Sequence, residues 1–476
     1  MKKSKMMKKL SVIAILMALV MVVVACGNNG AAPDTVDADD GAAVEVTDDD
    51  GDAEAGDDPA PVADGEQIVL TMVHHFTPEE AEVSLEATAF RNLKYEFLEE
   101  NPHITINETT MGHDDMQVTL LANAAANDLP DVFFMKGSWT ENWVESGLVA
   151  DITDDIRASA VYDDLFDGVL NTATFNGRTY GFPIQGQNTT SIVYYNAELW
   201  AEAGFDTFPD NWEDVIAASE FFNEQGIATI ALGNQDRWPW GSCWFSVMGY
   251  QFAGSDWFDS IVARDGVASF TDQGFIDALA WTAMIGQSGV LNSDFNTITT
   301  QQASDVFGHW GAATLVGGFW ELPALEATAD EGVLENMRLT LLPAEPTAAF
   351  GDVNIASATA GWNMSINSNL EGAQRQAAID FIFATFGNPA FSIFTSENGM
   401  AGPINVGEVD MSGLTPLQEQ YVGLANRWRA VPVWDAILSG AIIEVKNTGI
   451  QDILDGVMAP EDLAAELQAI QESLED

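Results

Sequence analysis

The chain has little cysteine, little positive charge and little tyrosine. Its 476 residues include two cysteines, Cys26 and Cys243, and 17 lysines and arginines against 73 aspartates and glutamates. Residues 27–67 hold no aromatic and no basic residue at all. Two cysteines allow one disulfide at most and no disulfide framework, so a stable fold has to come from a large apolar core. The 47% hydrophobic composition can supply one. The shortage of bases excludes nucleic acid and anionic membrane surfaces as partners, because the long-range electrostatic term repels them. No G-x-S-x-G elbow, no zinc-binding helix and no phosphate-cradling glycine loop occurs. Tyrosine is outnumbered by tryptophan, 7 to 14, an inverted ratio for an ordinary core.

Five lysines precede an apolar run over 10–25, which reads as the n-region and h-region of a secretory signal. The run ends in "VVAC" followed by glycine, and that ending resembles the lipobox of bacterial lipoproteins. The resemblance implies removal of residues 1–25, acylation of Cys26, and a protein anchored to a membrane outside the cytoplasm. Residues 26–67 then read as an acidic disordered tether, since they cannot bury enough apolar surface to offset their ordering entropy. The tether does not explain the charge. Without it and the signal, 59 acidic residues face 12 basic ones, a net of about −47.

From residue 68 the pattern becomes regular. "IVLTMVHHF" and "HITINETT" read as strands, "DVFFM" as a short buried strand, and helical spacing fills the gaps between them. Strands alternating with helices predict an α/β layer on a largely parallel sheet, with ligands at the carboxyl ends of the strands. The segments after Phe76, after Met135 and after Pro183 are therefore the places for a site. The later chain is richer in helix, and a body this long is expected to form two domains. "NQDRWPWGSCWF" places Trp238, Trp240 and Trp244 within seven residues, a spacing that does not put all three on one helical face. A turn at Pro239 and Gly241 would let the indoles face different ways.

Five phrases in order carry a resemblance: "LPDVFFMKGSWTENWVESGLVADITDD", "GRTYGFPIQGQNTTSIVYYNAELWAEAGF", "NWEDVIAASEFF", "GAATLVGGFWELPALE" and "GWNMSINS…AAIDFIFATFGNPAFSIFTSENGMAGPINVG". Together they resemble the extracellular solute-binding proteins of family 1, the maltose-binding-like receptors of ABC sugar importers. One phrase departs: a basic stretch with a methionine usual before Gly-Gly-x-Trp is replaced by "DVFGHWGAATL" around His309 and Trp310. The resemblance implies a two-lobed periplasmic-binding-protein type II fold with a ligand cleft between the lobes. Lobe one would hold 68–186 and 361–405, and lobe two 191–355 and 412–476. Hinges would fall near 187–191, 356–361 and 405–412. It also implies a monomer without cofactor that binds a carbohydrate and presents it to the transmembrane subunits of a permease.

A sugar ring offers an apolar C–H face and a rim of hydroxyls, so its receptor needs aromatic plates and short polar side chains. The resemblance points to Trp320 in "GGFWELPAL", Trp434 ahead of a C-terminal helix, Trp238 with Asp236, and Trp362 beside a crossover. Position relative to the strands adds Lys136, Ser138 and Trp139 after "DVFFM", and His75 and Phe76 at the end of the first strand. The polar loop of Gln185, Gln187 and Asn188 is a further candidate. Trp143 and Trp244 are expected to pack the interior. His74 and His75, adjacent on a strand, point to opposite faces and do not share a metal ion. Three alternatives stay open at this level. The solute could be a polyamine, a peptide or an iron complex; the receptor could feed a sensor kinase; or the protein could be a secreted carbohydrate-active enzyme, which would need two carboxyls across the scissile bond.

Overall fold

The computed structural model describes residues 67–475 apart from 79–82, 352–354 and 426. The signal segment, Cys26 and the tether up to residue 66 lie outside the described residues. Those described belong to one compact unit, Asp64–Asp476, which carries two main sheets. Numbered along the chain, the strands are β1 (Ile68–His74), β2 (Ile104–Thr110), β3 (Val132–Lys136), β4 (Thr174–Phe175), β5 (Arg178–Thr179), β6 (Phe182–Pro183), β7 (Asn188–Thr189), β8 (Ile192–Asn196), β9 (Thr314–Gly317), β10 (Met337–Leu341), β11 (Ile355–Thr359), β12 (Trp362–Ile366) and β13 (Arg429–Val431).

The first sheet has the order β2-β1-β3-β12-β6. β1 pairs in parallel with β2 and β3, joined by helices Leu85–Glu100 and His113–Ala125. The first helix starts where the Ser84 hydroxyl accepts from the Ala87 N–H, and stops at Asn101, ahead of Pro102. β3 reads Val-Phe-Phe-Met because both its faces are buried, as a central strand requires. The expected largely parallel sheet needs one correction. β12 enters between β3 and β6 and runs antiparallel to both, because the chain returns to this sheet only after building the second one. The second sheet, β10-β8-β9, is antiparallel, and parallel bridges from Ala228 and Ala231 extend it.

A third, small sheet joins the two. β11 lies between β7, antiparallel, and β13, parallel, so three passes of the chain run side by side between the larger sheets. Its polar contacts are tight: Thr190 Oγ1 lies 2.8 Å from Ser357 Oγ, and the Ser357 N–H donates to Ser191 Oγ at 3.0 Å.

Each main sheet has its own core. Phe90, Phe134, Phe381 and Phe386 fill the first, while Trp200, Trp212, Trp240, Trp244 and Trp434 fill the largest cluster of the second. Here the expected Pro239–Gly241 turn is corrected. Pro239 opens a wide helical turn, Trp240–Phe245, that continues directly into Ser246–Ala253. Four residues apart on one face, Trp240 and Trp244 stack at 4.7 Å and 9° and are fully buried. Gly241 serves approach rather than turning. A Cβ there would come within 3 Å of Asn447, Lys446 and Asp435, the polar cluster packed beneath the helix.

Candidate functional site

Two aromatic surfaces lie at the strand ends, one on each main sheet. On the first, β12 pairs antiparallel with β3 so that Trp362 sits opposite Lys136. The Lys136 ammonium lies 5.9 Å from the Trp362 ring centroid, a cation–π contact. His75 and Trp139 pack against the same indole at 4.7 and 5.6 Å. Trp143, one turn past Trp139, stacks on it from the interior. Trp362 and Lys136 remain half-buried, whereas His75, Phe76, Ser138 and Trp139 are nearly covered.

On the second sheet, Trp238 and Trp320 meet edge to face at 5.7 Å, and both stay half-buried. The loop before Trp238 is held by Asn234, whose side chain accepts from the Trp240 N–H and donates to Asn296. Arg237 takes a left-handed backbone and pairs with Glu444. Behind Trp320 the glycines of "GGFWE" are required by packing. A Cβ on Gly318 would lie 2.2 Å from the Trp320 ring, and one on Gly317 would lie 2.6 Å from Glu321 Cγ. The Trp320 indole N–H donates to Glu321 Oε1 at 3.0 Å, and Ser304 donates to Glu321 Oε2 at 2.5 Å.

Glu321 is 3% exposed, and burial pushes its carboxyl up to about 7 against the opposing pull of those two hydrogen bonds. A carboxyl whose folded pKa exceeds its unfolded one stabilises the fold fully below about pH 4.5. That contribution is lost as pH rises through about 7. The group should therefore lower stability at pH 8 by about 3 kcal/mol relative to pH 4. Denaturant melts of wild type and Glu321→Gln across this range should diverge at the alkaline end, with the variant the more stable; parallel curves would refute the assignment.

A cavity of about 620 Å³ opens where residues 137–141 and 171–176 face residues 261–264, 436–442 and Gln471. Ser138, Thr140, Glu141, Asn171, Thr172 and Asn176 line it from the first side, and Arg264, Ser439 and Gln471 from the second. The walls come close because Gly137 has no side chain: a Cβ there would lie 3.0 Å from the Ala436 carbonyl. Among the described residues an ion pair joins the two sides of the cavity. Arg264 grips Glu141 with both guanidinium nitrogens, at 3.1 and 2.8 Å.

This arrangement can be set beside known proteins. Residues 83–385, more than half of the chain, match the family model of the bacterial extracellular solute-binding proteins. The chain belongs to that family. A relative in Brucella abortus (strain 2308), named only as a binding protein, is 22% identical over 396 residues, covering 80% of this chain and 89% of the relative. A solved chitin oligosaccharide binding protein superposes with a TM-score of 0.75 at 21% identity, over 86% of this chain and 99% of that one. A protein of xylan utilisation from Caldanaerobius polysaccharolyticus gives 0.71 at 24% identity, over 84% and 99%. The solute-binding protein therefore has the two-lobed maltose-binding-type fold.

Within that fold the expected site residues divide. Trp238 meets Trp320 next to the second main sheet, and His75, Phe76, Lys136, Trp139 and Trp362 gather at the strand ends of the first. Of the residues expected, Ser138 lines the cavity, and Trp238, Trp320 and Trp362 do not. Asp236 is half-buried, and its carbonyl accepts from the Trp238 N–H. Gln185 is half-buried, while Gln187 is exposed and donates weakly to the Asp167 carbonyl. The Asn188 amide is committed elsewhere, exchanging two hydrogen bonds with the Ala401 backbone.

Trp434 requires a correction. It is fully buried, stacked on Phe258 at 4.9 Å and packed against Phe245 and Tyr250. Gly249 leaves the space its ring fills, since a Cβ there would lie 2.4 Å from the indole. The core has claimed this ring. Its neighbour Asp435 is likewise internal, paired with the fully buried Lys446 at 2.8 Å. Sequence reasoning missed Glu321, Glu141 and Arg264. Glu321 and Glu141 stood inside recognised phrases with no role of their own, and Arg264 carries no local signal.

Proposed function

We propose that this solute-binding protein holds an oligosaccharide in the cleft between its lobes and delivers it to the membrane subunits of an ABC importer. The observation that carries the reading is the Trp238–Trp320 pair, two half-buried indoles that meet edge to face at 64°. Indole faces suit sugar C–H faces, and the Ser, Thr, Asn and Gln side chains of the cavity suit hydroxyls. The oligosaccharide ligands of structural neighbours support the same class. Lobe one comprises 68–186 and 361–405, lobe two 191–355 and 412–476, and they hinge near 187–191, 356–361 and 405–412, where β7 and β11 pair at the first two crossings. Acylation at Cys26 anchors a monomer to the extracytoplasmic face of the membrane. The reading is of binding without turnover, in keeping with a family of binding proteins.

A thermal-shift screen against chito-, xylo- and malto-oligosaccharides tests the reading. At a hundredfold its dissociation constant a ligand adds about 2.7 kcal/mol of stability. Stabilisation by a polyamine or a peptide, and by none of the sugars, would overturn the class.

The Arg264–Glu141 pair bears on lobe motion. Bidentate and partly shielded, it should hold the ligand-free lobes closer than they would otherwise lie. Arg264→Ala should therefore raise the radius of gyration of the ligand-free protein in small-angle scattering, and added salt should move wild type the same way. An unchanged profile in the variant would show that the pair does not restrain the lobes.

A further inference from the structure

We propose that Glu321 is the positioning residue for Trp320: its buried carboxylate, braced by Ser304, clasps the indole N–H and fixes the ring edge-on to Trp238 in the pose that meets ligand. This rests on the oligosaccharide reading above and assigns the control of its aromatic pair. The geometry is specific. Glu321 opens the helix Glu321–Thr328 directly after Trp320, and both its oxygens are committed, one to Trp320 and one to Ser304 on the neighbouring helix Thr300–Gly308. The glycines at 317 and 318 exist as space for this carboxylate and this ring. No lysine or arginine pairs with Glu321 among the described residues, so the clasp is made by hydrogen bonds alone.

The clasp is pH-sensitive by construction. The ionised carboxylate accepts from both donors. Once protonated, it has to place its own hydrogen on Ser304 Oγ, whose hydroxyl then turns to the Thr300 carbonyl 3.2 Å away. Trp320 is left facing a neutral carbonyl oxygen, and a hydrogen bond to a neutral acceptor is roughly half as strong. The other ionisable groups acting on this pocket are Tyr194 from β8 and Cys243 from the turn Trp240–Phe245. Both are pushed above their ordinary values by burial, so neither ionises in the neutral range. Glu326, further along the helix, is engaged by Thr415 and Gln418. Ionisation of Glu321 thus costs stability while it fixes the ring, an exchange common at binding sites.

The test uses protein labelled with 5-fluorotryptophan and followed by fluorine NMR from about pH 5 to about pH 9. One indole resonance should titrate near neutrality. It should be missing in Trp320→Phe and present but flat in Glu321→Gln, whose amide can accept from the indole at every pH. Affinities for xylotriose and chitotriose, measured over the same range, should fall about fivefold from alkaline to acid in wild type and stay level in Glu321→Gln. A Trp320 resonance that does not move, or that moves equally in the glutamine variant, overturns the clasp. A titrating resonance with constant affinity overturns its part in binding. If the resonance titrates and neither sugar binds, the clasp stands and the oligosaccharide reading falls.

Discussion

Trp244→Ala is expected to lower the stability of the folded body by about 3–5 kcal/mol, the cost of emptying a fully packed indole site. Trp244 stacks on Trp240 and also meets Trp212, which in turn packs against Trp281. Four indoles so interlocked leave no neighbour free to collapse into the hole. Trp238→Ala should behave differently: its ring is half-buried and edge-on to Trp320, so chemical denaturation should show a loss well under half as large. The question posed by three tryptophans in seven residues then has a physical answer. Pro239 starts a helix, the two indoles inside it go to the core, and the one before it stays half-buried against Trp320. Equal destabilisation by Trp238→Ala and Trp244→Ala would contradict that division.

Lys446→Met should cost a similar amount, about 3–5 kcal/mol, by leaving the Asp435 carboxylate buried without its counter-ion. Burial pushes the Asp435 carboxyl up, and the Lys446 and Lys136 ammoniums outweigh it and bring it below its ordinary value. Burial equally pulls the Lys446 ammonium down, against the attraction of Asp435. Ser242 and Asn447 remain as hydrogen-bond donors to the carboxylate, but neither supplies charge. The double variant Asp435→Asn with Lys446→Met should recover most of the loss, because a neutral amide keeps company with the same donors. Thermal melts of the two single variants and the double complete the cycle. Additive losses would mean that the pair is not coupled.

What could be read in advance was local. Periodicity placed β1, β2 and β3 and the helices between them, since each pattern is set by the face that a segment buries. The order of phrases carried the fold. Trp434 was misplaced because its burial depends on Gly249, far away in sequence, and no spacing rule couples the two. Asn188 looked like a free loop amide, yet its partner is the Ala401 backbone more than two hundred residues on. Arg264 reaches Glu141 only because it caps its helix in a left-handed conformation, a backbone choice that an arginine does not announce. The antiparallel entry of β12 follows from the same cause, the return of the chain after building a second lobe.

The central claim is that an oligosaccharide is held against the Trp238–Trp320 pair. Calorimetric titration of the best-stabilising oligosaccharide into wild type and Trp320→Ala, at one pH above neutrality, tests it most directly. The account predicts one site in wild type and affinity weakened by about 1–3 kcal/mol in a variant that remains folded. Undiminished binding by folded Trp320→Ala would contradict it and place the sugar elsewhere on the molecule.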